Sequence, residues 1–381
     1  LSATTKKYGR CRKCRRDKRI AMSKIYQLTL RGYKSIRELE DFDLHNLNIL
    51  IGANGAGKSN FIGFFRLVNA MYQQQLQLYV QKQGGPDALL HFGRKETDSI
   101  QSEIYFARNG YKFNLVPSND NRLIFENEYS WFRGVYFNSQ PSALLGTGHD
   151  ESKLKEAKDQ YSPYVRDALE SWRVYHFHDT SESARVKQKH ASNDNLQFKT
   201  DAANLAAYLR RLYKEYPDEY QRIVATIRLA LPFFADFVHR PGEAEYIELE
   251  WTQTGHPDTP LKAHMLSDGS LRFICLATLL LQPVDLLPDT ILIDEPELGL
   301  HPYAIGVLAD IIKQVAEEKQ LIISTQSVEL INEFDPEDVI VVDQENDASV
   351  FKRLSREALD AWLEEYTLGE LWKQNVFGGR P

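Results

Sequence analysis

The stretch Leu47-Asn48-Ile49-Leu50-Ile51-Gly52-Ala53-Asn54-Gly55-Ala56-Gly57-Lys58-Ser59 decides the fold. A short apolar run that ends in glycines reads as a buried strand of a parallel sheet. The octet from Gly52 to Ser59 then has the spacing G-x-x-x-x-G-K-[ST], and the residues that follow, Ser59–Tyr79, read as a helix. Glycine lets the backbone wrap a phosphate with its N–H groups turned inward. The helix N-terminus adds a field that favours anions. Lys58 is therefore expected to reach the β- and γ-phosphates of ATP, and Ser59 to ligate Mg²⁺. Asn54, Gly55, Ala56, Gly57 and Asn60 complete the expected nucleotide-binding set.

A second apolar run, Ile291-Leu292-Ile293-Asp294-Glu295-Pro296-Glu297, ends in acids. Its strand is expected to lie beside the loop strand. Asp294 would hold Mg²⁺, directly or through water. Glu295 would face the γ-phosphate and orient or deprotonate the attacking water. Alone, such a strand end reads as a solvated turn; the glycine loop gives it a role.

The order of elements points to α/β architecture. Strand Ile25–Leu30 precedes the loop strand. From about Ser99 the pattern becomes an antiparallel meander, with strands Ile100–Ala107, Tyr111–Val116, Leu123–Glu128 and Trp131–Phe137. Residues 146–240 are polar and mostly helical in pattern, with Asn204–Tyr213 and Tyr220–Leu231 the stronger helices, and Tyr246–Thr252 reads as one further strand. Helix Leu271–Leu281, strand Thr290–Ile293, helix Pro302–Glu318 and strands Leu321–Ser324 and Val339–Val342 then alternate. One nucleotide-binding core built from both ends of the chain is expected: an N-terminal lobe over 22–145, a helical insertion over 146–240 and a C-terminal lobe over 241–381.

Composition sets the class. The chain has 381 residues, 43% of them hydrophobic, enough for one large core or two medium ones. With 26% charged residues and a negative mean hydropathy it reads as soluble and globular. It lacks an apolar run of about 18 residues, so no membrane association is expected. No secretory signal is visible, and three cysteines make no disulfide framework, so a cytoplasmic location is expected. Residues 1–21 carry nine Lys/Arg against one Asp and precede Met22. They read as a disordered or untranslated leader, with a basic nucleic-acid arm as the other reading. Cys11 and Cys14 form one C-x-x-C without the second pair that zinc needs. The whole chain carries −7, so the rest is acidic and bulk charge does not drive nucleic-acid binding.

Leu266-Ser267-Asp268-Gly269-Ser270 stands before an apolar helix, shortly ahead of the acidic strand. It resembles the L-S-G-G-Q signature of ABC-type ATPases. With the opening L-R-G-Y-K-S-I at Leu30–Ile36, the runs D-E-P-E-L-G-L-H-P and I-S-T-Q-S, and the ending Y-T-L-G-E-L-W-K-Q-N-V-F-G-G-R-P, the chain resembles the RecF/SMC-like ABC-type ATPases. The resemblance covers nearly all of residues 22–381. It implies an ATPase head with an antiparallel β-subdomain and a short helical insertion in place of a long coiled coil. It also implies that Ser267 and the Gly269 N–H cradle the γ-phosphate held by another subunit, so that ATP closes a homodimer. As a lone motif, Ser267 would simply cap a helix.

The loop Leu298–Pro302 is implied to cross that interface, where His301 either touches the neighbour or merely starts a helix. Many relatives carry a switch histidine where this chain has Gln326. Glutamine donates a hydrogen bond to the γ-phosphate without becoming cationic, so slower turnover is expected. Gln101 is a weak candidate for the glutamine lid loop. Two roles follow from the resemblance: an ATPase of DNA repair or genome maintenance, with DNA as partner, or a regulatory ATPase of an anti-phage defence system acting with a separately encoded effector. A cytosolic subunit of a membrane transporter is disfavoured by the acidic run and the opening. Two further constellations are read as structural. His176 and His178 share one face if they lie on a strand, but lack further ligands. Tyr208, Tyr213, Tyr216 and Tyr220 read as helix packing rather than a base-stacking platform.

Overall fold

The computed structural model describes residues 23–133, 141–242 and 244–380. The basic leader with Cys11 and Cys14, and the segment 134–137 of the last meander strand, lie outside the described residues.

The loop strand, Leu47–Ile51, is buried at every residue because both of its faces are covered. It sits inside a six-stranded sheet in the order Ala348–Arg353, Val339–Glu345, Leu47–Ile51, Gln320–Ser324, Thr290–Asp294, Trp172–Tyr175. All pairs are parallel except the one formed by Ala348–Arg353 with Val339–Glu345. Alternate residues feed two cores. Leu50, Leu292 and Ile322 pack on one side, with helix Lys58–Tyr72 and the antiparallel sheet. Ile49, Ile291 and Ile323 pack on the other, with helices Leu205–Glu215, Pro217–Ala230, Asp268–Leu281 and Pro302–Ala316. The second six-stranded sheet runs Ile36–Asp43, Gln27–Tyr33, Ile100–Phe106, Asn109–Pro117, Leu123–Phe132, Ser142–Gly146 and is antiparallel throughout. This is a mixed α/β architecture, as expected: a largely parallel sheet flanked by helices, beside an antiparallel β-subdomain.

Several expected elements differ in detail. The acidic strand is not next to the loop strand: Gln320–Ser324 pairs with both and separates them. Strand order follows from tertiary pairing, which local sequence does not encode. The long helix after the loop is two, Lys58–Tyr72 and Leu76–Lys82, broken where Gln74 takes φ 57. The Glu151 carboxylate, distant in sequence, accepts from Leu76 N and Gln77 N (2.8 and 3.0 Å) and so starts the second helix. Leu123–Phe132 is one strand where a break was expected. Within the polar, mainly helical stretch, Trp172–Tyr175 is a strand at the edge of the parallel sheet. Tyr246–Thr252 divides between Tyr246–Ile247 and Glu250–Gln253, which belong to different small sheets. No helix among the described residues is long and apolar enough to cross a membrane.

Candidate functional site

The C-terminal ends of the parallel strands converge on one edge, the usual place for a site in such sheets. The loop leaves this edge at Gly52. Gly57 takes φ 119, and a Cβ there would lie 2.1 Å from the Ser349 hydroxyl oxygen, so only glycine fits. Ser349 donates to the Ala56 carbonyl (2.5 Å) and lies 2.7 Å from the Ser35 hydroxyl, which accepts from the Asn60 amide at 2.7 Å. Asn60 thus braces the loop from behind. The tail braces its root: Gly379 N donates to Asp343 (2.9 Å), and a Cβ on Gly379 would lie 3.5 Å from Gly52 Cα. Lys58 is buried, and its Nζ donates to the carbonyls of Gly52 (2.5 Å) and Ala53 (3.1 Å). Burial lowers the Lys58 pKa, while Glu295, Asp294 and Glu297 oppose that shift. The exposed residues Asn54, Gly55 and Ser59 line the open side of the loop.

Asp294 ends its strand in register with Ser324, whose hydroxyl donates to the Asp294 carboxylate. Glu295 follows with φ 44, a backbone conformation uncommon outside glycine, and its N–H donates to Ser324 O at 2.9 Å. The Gln326 amide donates to the Glu295 carboxylate. The fold therefore brings Lys58, Asp294, Glu295 and Gln326 to one edge. The hard oxygen donors Ser59 and Asp294, with phosphate oxygens, suit Mg²⁺, which keeps several waters and needs few protein ligands. No cluster of three or more His, Cys, Asp or Glu among the described residues is placed to hold a metal without such a phosphate.

Ser267 and Gly269 belong to a different network. Ser267 caps helix Asp268–Leu281 by accepting from Ser270 N (3.2 Å). A Cβ on Gly269 would lie 2.0 Å from Gly299 O, so the helix start rests directly on the loop after the acidic strand. Arg272 ties the same region together, donating to the carbonyls of Phe177 (3.1 Å), His178 (2.9 Å) and Leu298 (2.8 Å). Lys187, buried, lies 3.8 Å from Asp268. Around this network Met265, Leu298 and Tyr303 are 68, 43 and 59% exposed, and His301 is exposed while capping helix Pro302–Ala316.

A family model described as "AAA domain, putative AbiEii toxin, Type IV TA system" matches residues 47–332, which span both the loop and the Gln326 strand end. The chain belongs to this family. Among solved structures it is similar to an Smc head bound to the C-terminal winged-helix domain of ScpA: TM-score 0.59, 15% identity, 88% of this chain and 99% of that one covered. It is also similar to an Smc head with an extended coiled coil bound to the C-terminal domain of ScpA, derived from Pyrococcus furiosus: TM-score 0.52, 16% identity, 90% and 98% covered. A comparison with curated proteins finds no match. The fold is that of SMC/RecF-like ABC-type AAA ATPases.

Sequence reasoning missed Ser35, Ser349, Arg272, Lys187 and Glu297. Ser35 and Glu297 stand inside quoted motifs, in L-R-G-Y-K-S-I and D-E-P-E-L-G-L-H-P, and Arg272 lies two residues beyond the Leu266–Ser270 run. Ser349 and Lys187 carry no local signal. Gln101 is an exposed residue of strand Ile100–Phe106 in the antiparallel sheet, and its amide donates to the Ser99 hydroxyl (3.1 Å). Tyr208 and Tyr220 are buried in the core and Tyr213 is exposed. His176 and His178 follow the edge strand in an irregular stretch, where the His178 carbonyl serves Arg272.

Proposed function

We propose that this protein binds ATP with Mg²⁺ at Gly52–Ser59, closes a homodimer on it and reopens by hydrolysing it. The observation that carries this is the convergence of Lys58, Asp294, Glu295 and Gln326 on one edge, while Ser267 and Gly269 stand apart on an exposed network flanked by apolar side chains. One chain supplies the loop and the acids; a second supplies its signature. Lys58 and the loop N–H groups hold the β- and γ-phosphates, and Lys58 with the partner's signature steadies charge developing on the γ-phosphoryl group. Ser59 and Asp294 would hold Mg²⁺, which would supply further charge neutralisation. Glu295 orients the water for in-line attack and accepts its proton, and Gln326 fixes the Glu295 carboxylate.

Light scattering on Glu295→Gln tests this reading. The variant is expected to bind ATP, barely hydrolyse it and run as a dimer only with ATP and Mg²⁺. A strict monomer at saturating ATP would overturn the shared site.

For the biological role, we favour a regulatory ATPase in defence, acting with a separately encoded effector; the toxin–antitoxin wording of the family description supports this reading. DNA repair or genome maintenance is the second reading, from the resemblance of the motifs to RecF and SMC. Capture with the Glu295→Gln trap from the native host separates them. An effector protein supports the first; ATP- and salt-dependent DNA binding supports the second.

A further inference from the structure

Glu297 is a buried carboxylate that the proposed chemistry does not use. It is 9% exposed, two residues beyond Glu295. Its Oε1 accepts from the Thr325 hydroxyl (2.6 Å) and from the Gln326 backbone N–H (3.1 Å). Thr325 Oγ1 in turn accepts from Ser327 N (3.0 Å). Its Oε2 is buried with no hydrogen-bond partner. An unmet buried acceptor is destabilising, a cost that an apolar side chain at this position would avoid. What the carboxylate gains in exchange is two hydrogen bonds, both to the segment that carries Gln326.

Gln326 is thus held at two points by one neighbouring segment. Its backbone N–H is held by Glu297 and its side-chain amide by Glu295. The Thr325 N–H is separately tied to the Leu50 carbonyl (2.9 Å), so what Glu297 adds is the partner of the Gln326 N–H itself; without it that end of the peptide is less firmly fixed and the amide loses its aim. We propose that Glu297 is a positioning residue: it anchors the Thr325–Gln326 peptide so that the Gln326 amide meets the Glu295 carboxylate. The inference rests on the reading of Glu295 and Gln326 as the hydrolytic pair.

The test compares Glu297→Ala, Glu297→Gln, Thr325→Val and Glu295→Gln in the full chain, by phosphate release and by titration with a fluorescent ATP analogue. Glu297→Ala is expected to lower kcat about 10- to 100-fold, as misplacement of a catalytic group does. Its ATP affinity should stay within about 2-fold, because the loss falls on the transition state. Glu297→Gln keeps an acceptor at the Oε1 position and should hold kcat within about 3-fold of native. Thr325→Val should lower kcat, and the double variant Glu297→Ala with Thr325→Val should be no worse than Glu297→Ala alone, since both remove one anchor.

Native kcat in Glu297→Ala overturns the inference. So does Glu297→Gln failing as badly as alanine, or kcat and affinity falling together. If Glu297→Ala does not fold, native turnover in Thr325→Val overturns it. Glu295→Gln separates the two layers: turnover surviving there removes the underlying reading, whereas turnover lost there but kept in Glu297→Ala removes only the role of Glu297.

Discussion

The Gln326 side-chain amide donates a hydrogen bond to the Glu295 carboxylate, joining the ends of two adjacent parallel strands across 31 residues of chain. A histidine in that place would change charge near neutral pH; glutamine cannot. The contact orients Glu295, whose backbone is already held at φ 44.

Gln326→Ala should therefore cost turnover and spare binding. A fall in kcat of about 10- to 100-fold is expected, the range of a misplaced general base. Affinity for a fluorescent ATP analogue should be unchanged. Native turnover would make Gln326 a spectator.

Lys58→Ala should lose ATP itself. Charge-assisted hydrogen bonds contribute about 1.5–3 kcal/mol, so affinity should fall about 10- to 100-fold by calorimetry. Unchanged affinity would mean that nucleotide binds elsewhere.

Gly269→Ala separates the two halves of the proposed composite site. Its methyl would meet the Gly299 carbonyl at 2.0 Å, a backbone atom that cannot step aside cheaply. The signature helix must shift, while the Lys58 loop is untouched. ATP affinity should remain native while ATP-dependent dimerisation, read by light scattering, is lost. A dimer of native strength would show that this helix start is not at the interface.

Acid should destabilise the protein through His239. Burial lowers its pKa from 6.5 to about 4. Its Nε2 lies 2.9 Å from the Tyr220 hydroxyl, which donates to Asp236, and its ring stacks on Tyr213. The unfolded chain binds the proton first, so the stability His239 contributes is present above pH 6.5 and lost as pH falls towards 4. Melting temperatures across this window should decline, and His239→Phe, which keeps the stack, should flatten the decline. An equal slope in the variant would place the acid sensitivity elsewhere.

The local parts of this site were legible in the sequence because their chemistry is local. Gly52–Ser59 needs glycine torsions, one lysine and a following helix, all within a dozen residues. The same holds for the apolar strand before Asp294 and the serine that caps Asp268–Leu281. Alternation of strand and helix at the two ends of the chain indicated the α/β core. The tertiary structure decided what depends on partners far apart in sequence. It placed Gln320–Ser324 between the loop and acidic strands, and with it Gln326 beside Glu295. It brought Ser349 under Gly57, set Gly299 against Gly269, and buried Glu297 on Thr325. Strand order and buried polar pairing are properties of packing between distant segments, and no window of the sequence contains both members of those pairs.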